Sequence, residues 1–269
     1  MTKSYEIDYK VKVGIPMPLG AMKTNDGINF AVMVPGKEDT RCSIILYRKG
    51  TLEIVTEIVF TEEMKFGKVY AMCIQGIAIS EFDYNYRIGN KVITDPYAKM
   101  INGTKIFGEN DNKVKTSAVY NDKFNWDGDV KPTIEFSDSI IYKLHVRGFT
   151  KHRYSKVRKK GTFAGIVERI DYLKSLGVTM VEIIPAYAFN EKSHLKNCKD
   201  NYGGYTDADY LMPKVAYSSR KDGKSAIYEF KSMVKELHKN NIEVCMEFSF
   251  DKEITPNYMI DCFRHWVIK

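Results

Sequence analysis

The sequence predicts a multi-domain chain, an N-terminal antiparallel β-sandwich followed by an α/β region, and three observations predict it. Between residues 28 and 93 short strand patterns recur at roughly ten-residue spacing with turn signals between them, the form of an all-β sandwich. From Ser139 to Pro185 the pattern changes to strand, loop, helix, strand within about 45 residues, a βαβ unit. Both strand candidates of that unit are near-continuous apolar runs, which suits a parallel sheet buried on both faces.

The 269 residues, 44% hydrophobic and 28% charged, have the length and composition of one large or two ordinary globular domains. No run of about 18 apolar residues exists, so no membrane span is expected. Met1–Glu6 lacks an apolar core of the kind a secretory signal carries. The five cysteines are odd in number, scattered and without a CxxC pair, which argues against a zinc site or a disulfide framework. Cys42, Cys73, Cys245 and Cys262 sit among apolar neighbours and read as small buried hydrophobes. A reducing, cytoplasmic location is the expectation. The net charge of +7 is uneven: residues 1–138 carry −1 and the remainder +8. Much of the excess lies in Lys151–Lys160 (KHRYSKVRKK), which reads as a solvated basic loop rather than a nucleic-acid surface.

Residues 1–12 are polar and mixed, with no clear element. Gly14–Gly20 (GIPMPLG) holds two prolines and two glycines in seven residues and reads as an extended or turning segment. Ile28–Val34 then alternates before Pro35-Gly36, and Cys42–Tyr47, Leu52–Phe60, Val69–Ile74 and Phe82–Ile88 continue the strand series. Gly89-Asn90 turns the chain into Lys91–Ile93. The β module is placed at 14–100. Residues 101–138 have few apolar clusters and read as an irregular linker with Phe124 and Trp126 as anchors.

The α/β region, 139–269, opens with Ile140–Val146 as its first strand. A helix follows over Gly161–Leu176, with Ile166, Ile170, Leu173 and Leu176 on one face and Gly177 as a left-handed cap. Val178–Ile184 is the second strand. The loop from Pro185 to about Ser225 is long enough to be functional. Ala226–His238 is a second helix, with Ile227, Phe230, Val234 and Leu237 on one face, and Ile242–Phe250 is a third strand. Pro256–Lys269 is amphipathic through Met259, Ile260, Phe263, Trp266 and Val267. This order suits either an open doubly wound sheet or part of a (β/α)8 barrel. The loop after the first strand, Arg147-Gly148-Phe149 and a basic run, is no GxGxxG cradle, so a dinucleotide cofactor is disfavoured.

Ile141–Thr150 (IYKLHVRGFT) resembles the first barrel strand of the α-amylase superfamily in its pullulanase, isoamylase and glycogen-debranching branch. Gly161–Gly165 (GTFAG) with Tyr172–Thr179 (YLKSLGVT) is similar to the same branch, and Phe230–Lys235 with Leu237-His238 resembles its helix before the third strand. Asn201–Tyr205 (NYGGY) is similar to that branch's NYWGY motif. Upstream, Pro18–Ala21 and Thr94–Lys99 (TDPYAK) resemble the start and end of the β-sandwich that precedes such barrels. The resemblance implies a starch-binding-type sandwich followed by an incomplete (β/α)8 TIM barrel of a retaining hydrolase that cleaves α-1,6 branch points in α-glucans. Such chemistry needs a carboxylate nucleophile and a carboxylic acid about 5–5.5 Å apart.

The resemblance implies that the site is legible only in part. Tyr205 takes the place of the motif tyrosine that stacks on a sugar, since a phenol ring offers a flat apolar face and a polar tip. Tyr202 is the motif's other tyrosine, and Gly203 stands where the family has tryptophan, which removes one sugar-facing surface. On the third strand the family pattern D-x-x-x-N-H aligns with Glu247, Asp251 and Lys252. Lys252 can donate to a sugar hydroxyl, although an ammonium on a flexible stem differs from imidazole. Metal ligation by Glu247 and Asp251 is a minor alternative, because i and i+4 on a strand share a face but lie far apart. No carboxylate is assigned a catalytic role, and no metal or cofactor is expected. His145 reads as a satisfied core or loop-anchoring histidine; His152, His194, His238 and His265 share no spacing. The expected partner is an α-glucan polysaccharide or oligosaccharide, with no nucleic acid or membrane. A non-catalytic glucan-binding protein is the alternative, and self-association through an open barrel edge a further expectation.

Overall fold

The computed structural model describes residues 8–34, 40–78, 80–108, 116–120, 123–192 and 201–268. His194 and Cys198 lie outside them. The chain forms two compact units, one of residues 1–103 and 114–121, the other of 104–113 and 122–269.

The first unit contains β1 (Lys10–Val13), β2 (Gly20–Lys23), β3 (Ile28–Met33), β4 (Cys42–Arg48), β5 (Ile54–Val59), β6 (Lys65–Phe66), β7 (Val69–Gln75), β8 (Phe82–Ile88), β9 (Lys91–Ile93), β10 (Met100–Asn102) and β11 (Thr116–Ala118). They form two antiparallel sheets, ordered β1-β7-β3-β2 with β6 on β7, and β10-β11-β8-β4-β5 with β9 on β8. Alternating residues of both sheets meet in one core: Phe30, Val32, Met72 and Ile74 from one, Ile44, Leu46, Tyr84 and Tyr86 from the other. Phe30 and Tyr84 meet edge to face with centroids 5.0 Å apart.

Part of the stretch expected to be irregular, 101–138, is strand. β11 pairs with β10 and β8, yet it consists of Thr116, Ser117 and Ala118, which carry no apolar alternation. Hydrogen bonds hold it instead. Thr116 Oγ1 donates to Asp83 Oδ2 at 3.2 Å, Ser117 N to Asn85 Oδ1 at 3.2 Å, and Ser117 Oγ accepts from Asp95 N at 2.8 Å. β1, β2 and β6 were likewise absent from the sequence pattern, being short and mostly exposed.

The second unit is built on a parallel sheet, β12 (Ile141–His145), β13 (Met180–Ile184) and β16 (Glu243–Met246), with β13 central. Its helices are α1 (Val146–Lys151), α2 (Phe163–Val167), α3 (Ile170–Ser175), α4 (Gly223–Lys239) and α5 (Pro256–Ile268). One sheet face, with Leu144, Val181 and Ile183, is buried in a core with Phe163, Ile166, Ile170, Leu173, Phe230, Met233 and Leu237. The helix expected over 161–176 breaks into α2 and α3 at Glu168-Arg169, because Glu168 turns back to accept from the amides of Arg158 and Lys159 at 2.9 and 3.0 Å. Its predicted stripe is buried through Ile166, Ile170 and Leu173, while Leu176 is exposed. Gly177 takes φ +74°, the expected left-handed cap.

The long loop contains a hairpin, β14 (Tyr187–Phe189) with β15 (Ala208–Pro213). The third strand ends at Met246 rather than Phe250. Cys42, Cys73 and Cys262 are buried, but Cys245 is exposed: it lies on the sheet face opposite the helices. Among the described residues no helix is long and apolar enough to cross a membrane.

Candidate functional site

Beyond the C-terminal ends of the parallel strands, three segments converge: His145 with α1, the loop 201–207, and residues 247–251. Asn201 fixes the middle one. Its side chain is buried, with Nδ2 donating to the carbonyls of Asn190 (2.9 Å) and Thr206 (2.6 Å) and Oδ1 accepting from Tyr205 N (3.0 Å). One amide thus closes the loop through three backbone groups, and both tyrosines it carries remain open to solvent, Tyr202 at 41% and Tyr205 at 49% exposure.

Tyr202 is braced from below. The imidazole of His145 stacks on it with centroids 4.3 Å apart and planes 18° off parallel, and Phe107 meets it edge on at 5.5 Å. His145 Nδ1 accepts from the amides of Arg147 (3.1 Å) and Gly148 (3.0 Å), so it caps α1. With Nδ1 an acceptor, Nε2 carries the proton and donates to Tyr202 O at 2.9 Å; Tyr217 Oη lies 3.2 Å from the same nitrogen. Burial holds the imidazole below its ordinary value, with Arg147 and Lys214 adding to the effect, so neutral histidine is the form the site uses. The expected anchoring role is the one the structure gives it.

Asp251 Oδ2 accepts from Asp207 N at 3.2 Å, and Asp207 sits at φ +53°. Ser249 Oγ donates to Tyr205 O at 3.4 Å. Two buried phenols carry the segment 249–251: Ser249 N donates to Tyr187 Oη (3.2 Å), Tyr210 Oη donates to Ser249 O (2.8 Å), and Asp251 N donates to Tyr210 Oη (3.1 Å). Past the last ladder bond, Glu247 N to Ile183 O at 3.1 Å, these phenols take over the backbone groups of 249–251. The hydroxyl of Tyr210 is pushed up mainly by burial. Lys252 is exposed.

Glu247 lies elsewhere in role. Lys143 and Glu182 are register partners on β12 and β13, and Lys143 Nζ bridges Glu182 at 3.2 Å and Glu247 at close range. The hydrogen bond from Lys143 holds the Glu247 carboxyl below the usual range. The three charges lie on the sheet face away from the helices. Glu247 is thus tied by ion pairing to Lys143, which it shares with Glu182, while Asp251 is tied to the loop through Asp207 N. Most of the basic run Lys151–Lys160 is exposed, Arg158 to 96% at its side chain, although Val157 is buried.

Of the residues picked from sequence, the structure joins Tyr202, Tyr205 and Asp251 in one loop assembly, while Lys252 is exposed. Sequence reasoning missed Tyr187, Tyr210 and Tyr217, the hydroxyl anchors. They lie in the long loop, where no periodicity marks them.

A parallel strand–helix unit with its candidate site beyond the strand ends defines a class, and the chain belongs to the α-amylase family. That family's model, Alpha amylase, catalytic domain, matches residues 118–253. Within it the relatives lie in the pullulanase, isoamylase and glycogen-debranching branch. The chain is 34% identical over 277 residues to isoamylase SU1, chloroplastic, of Zea mays, covering 92% of this chain and 35% of that protein. It is 31% identical over 194 residues to the glycogen operon protein GlgX homolog of Mycobacterium tuberculosis, covering 63% of this chain and 27% of the relative. A pullulanase from Paenibacillus barengoltzii, solved with maltohexaose and α-cyclodextrin, shares the fold at TM-score 0.75 and 22% identity, over 95% of this chain and 47% of that one. A pullulanase from Anoxybacillus sp. LM18-11, complexed with maltotetraose, matches at TM-score 0.66 and 26% identity, over 85% and 34%. The chain spans about a third of the length of the isoamylases it matches, 35% and 34% for the maize and rice proteins.

Proposed function

We propose that the chain forms the β-sandwich module and the first part of the (β/α)8 barrel of an α-glucan debranching-type hydrolase acting on α-1,6 branch points with retention. The observation that carries this reading is the Asn201–Tyr205 loop. It is pinned by one buried amide beyond the parallel strand ends, with two tyrosine faces open to solvent. Such faces suit the apolar side of a pyranose ring. The relatives, several of them solved with maltooligosaccharides, support the same ligand class.

The reading assigns binding, not bond cleavage, to this chain. Retaining hydrolysis needs one carboxyl group protonated and one free. On the sheet face away from the helices, Glu182 and Glu247 share Lys143, whose hydrogen bond holds the Glu247 carboxyl below the usual range, the opposite of what a general acid needs. The chain should therefore slow in native gels containing glycogen or amylopectin and release no reducing ends from pullulan or glycogen. Hydrolysis by the pure chain would overturn the partial-barrel reading; an unretarded band would overturn the glucan reading.

The same ion cluster favours a second reading, a non-catalytic α-glucan-binding protein in which Glu247, Asp251 and Lys252 have lost the family's third-strand pattern. Gels separate the two. A debranching site prefers branched over linear maltodextrins, whereas a general binding surface retards both alike.

A further inference from the structure

The loop Asn201–Tyr205 holds two adjacent glycines for different reasons. Gly204 sits at φ +65°, and a Cβ there would lie 2.6 Å from Pro185 Cγ and 2.7 Å from Phe189 Cδ1, so both backbone and packing demand glycine. Gly203 is absent from the positive-φ glycines, so its φ does not call for glycine. What excludes a side chain is the ring of Tyr205. A Cβ at 203 would lie 2.3 Å from Tyr205 Cε2, 2.8 Å from Cδ2 and 3.1 Å from Cζ.

We infer that Gly203 is a positioning residue for glucan binding: the volume its missing side chain leaves is the seat of the Tyr205 ring. The inference rests on the glucan reading above and deepens it. The position where related motifs carry tryptophan is thus filled from two residues downstream. One side of the ring is packed on the Gly203 backbone, its main-chain amide is held by Asn201 and its carbonyl by Ser249, and the ring remains 49% exposed. A phenol fixed in this way gives up little side-chain freedom on binding, which is the advantage of preorganisation.

The smallest perturbation is Gly203→Ala. Its methyl must move the ring by about 1 Å to reach ordinary van der Waals contact. Calorimetric titration with maltohexaose would compare wild type, Gly203→Ala, Tyr205→Ala and the double variant. The inference predicts a loss of about three- to tenfold in affinity for Gly203→Ala, a comparable or larger loss for Tyr205→Ala, and a double variant no weaker than Tyr205→Ala alone. Wild-type binding that Gly203→Ala leaves unchanged, or losses that add in the double variant, would overturn the seat and leave the glucan reading intact. Absence of binding by wild type would instead remove the glucan reading and the inference with it. Should Gly203→Ala destabilise the fold, the double variant, with no ring for the methyl to meet, must regain that stability; failure to regain it also overturns the inference.

Discussion

Lys214 Nζ lies 2.8 Å from Glu191 Oε1, and the two side chains are 1% and 3% exposed. The same ammonium donates to Phe189 O at 2.7 Å and sits 3.6 Å from the Phe189 ring centroid. A charge taken so completely out of water is tolerated only with its partner present. Lys214→Met should therefore cost about 3–5 kcal/mol, while Lys214→Met with Glu191→Leu recovers a substantial part. Urea unfolding followed by tryptophan fluorescence checks this. Trp126 and Trp266 both belong to the second unit, so the signal reports that unit alone.

Acid should loosen the Tyr202 loop. His145 works as a neutral acceptor at Nδ1, and burial holds its pKa below the ordinary histidine value of 6.5. Among the described residues, the charges that act on it, Arg147 and Lys214, are both cationic, and the carboxylate of Glu191 is taken up by Lys214. The unfolded chain binds this proton first, so the contribution is complete above pH 6.5 and is lost as pH falls through the lower folded value. His145→Asn keeps a capping acceptor without the titration. It should flatten the acid limb of the tryptophan-monitored stability profile relative to wild type.

Asp95 should act in the opposite sense in the first unit. It is buried, accepts from Tyr84 Oη at 2.6 Å and Tyr97 N at 2.8 Å, and desolvation raises its pKa from 3.8 to about 6. The folded state holds this proton more tightly. Its contribution is full below pH 3.8 and disappears as pH rises through about 6. The difference is on the order of 3 kcal/mol. Hydrogen exchange of the β8 amides, compared between wild type and Asp95→Asn, should show wild-type protection gaining on the variant as pH falls from 7 to 4. A constant gap between the two would contradict it.

Asn201→Asp tests the loop closure. It keeps the shape but turns two donors toward the carbonyls of Asn190 and Thr206 into acceptors, leaving both oxygens facing a carboxylate. Maltohexaose affinity should fall at least about tenfold, equivalent to ~1.4 kcal/mol. The tryptophan-monitored midpoint should move much less than in Lys214→Met.

The elements legible in the sequence were those whose side chains alternate or stripe against a large core. β3, β4, β7, β8 and β13, and the long α4, fall within a residue or three of their apolar patterns. The elements missed are held by polar groups. β11 is a run of Thr, Ser and Ala tied to Asp83, Asn85 and Asp95. α1 contains Gly148 and is capped by an imidazole rather than by Ser, Thr, Asp or Asn. At the site, Tyr202, Tyr205 and Asp251 were visible through the family motif. The partners that hold them are contacts between distant residues, Phe107 and Tyr202 among them, which no local spacing encodes. The exposure of Cys245 likewise follows from which sheet face its register selects, not from its neighbours in the chain.

The segment around Phe107 carries a last consequence. The chain leaves the first unit after Gly103, lends residues 104–108 to the second, returns with β11, and departs again. Phe107 there stacks on Tyr217 at 6.2 Å and meets Phe189 at 6.3 Å. A single genetic cut therefore cannot yield two whole parts. Severing at 103 strips β8 of its neighbour β11, and severing at 121 takes Phe107 away from Tyr202. The two units are distinct as folded bodies but interleaved as a coding text, and in domain shuffling they would have to be inherited together.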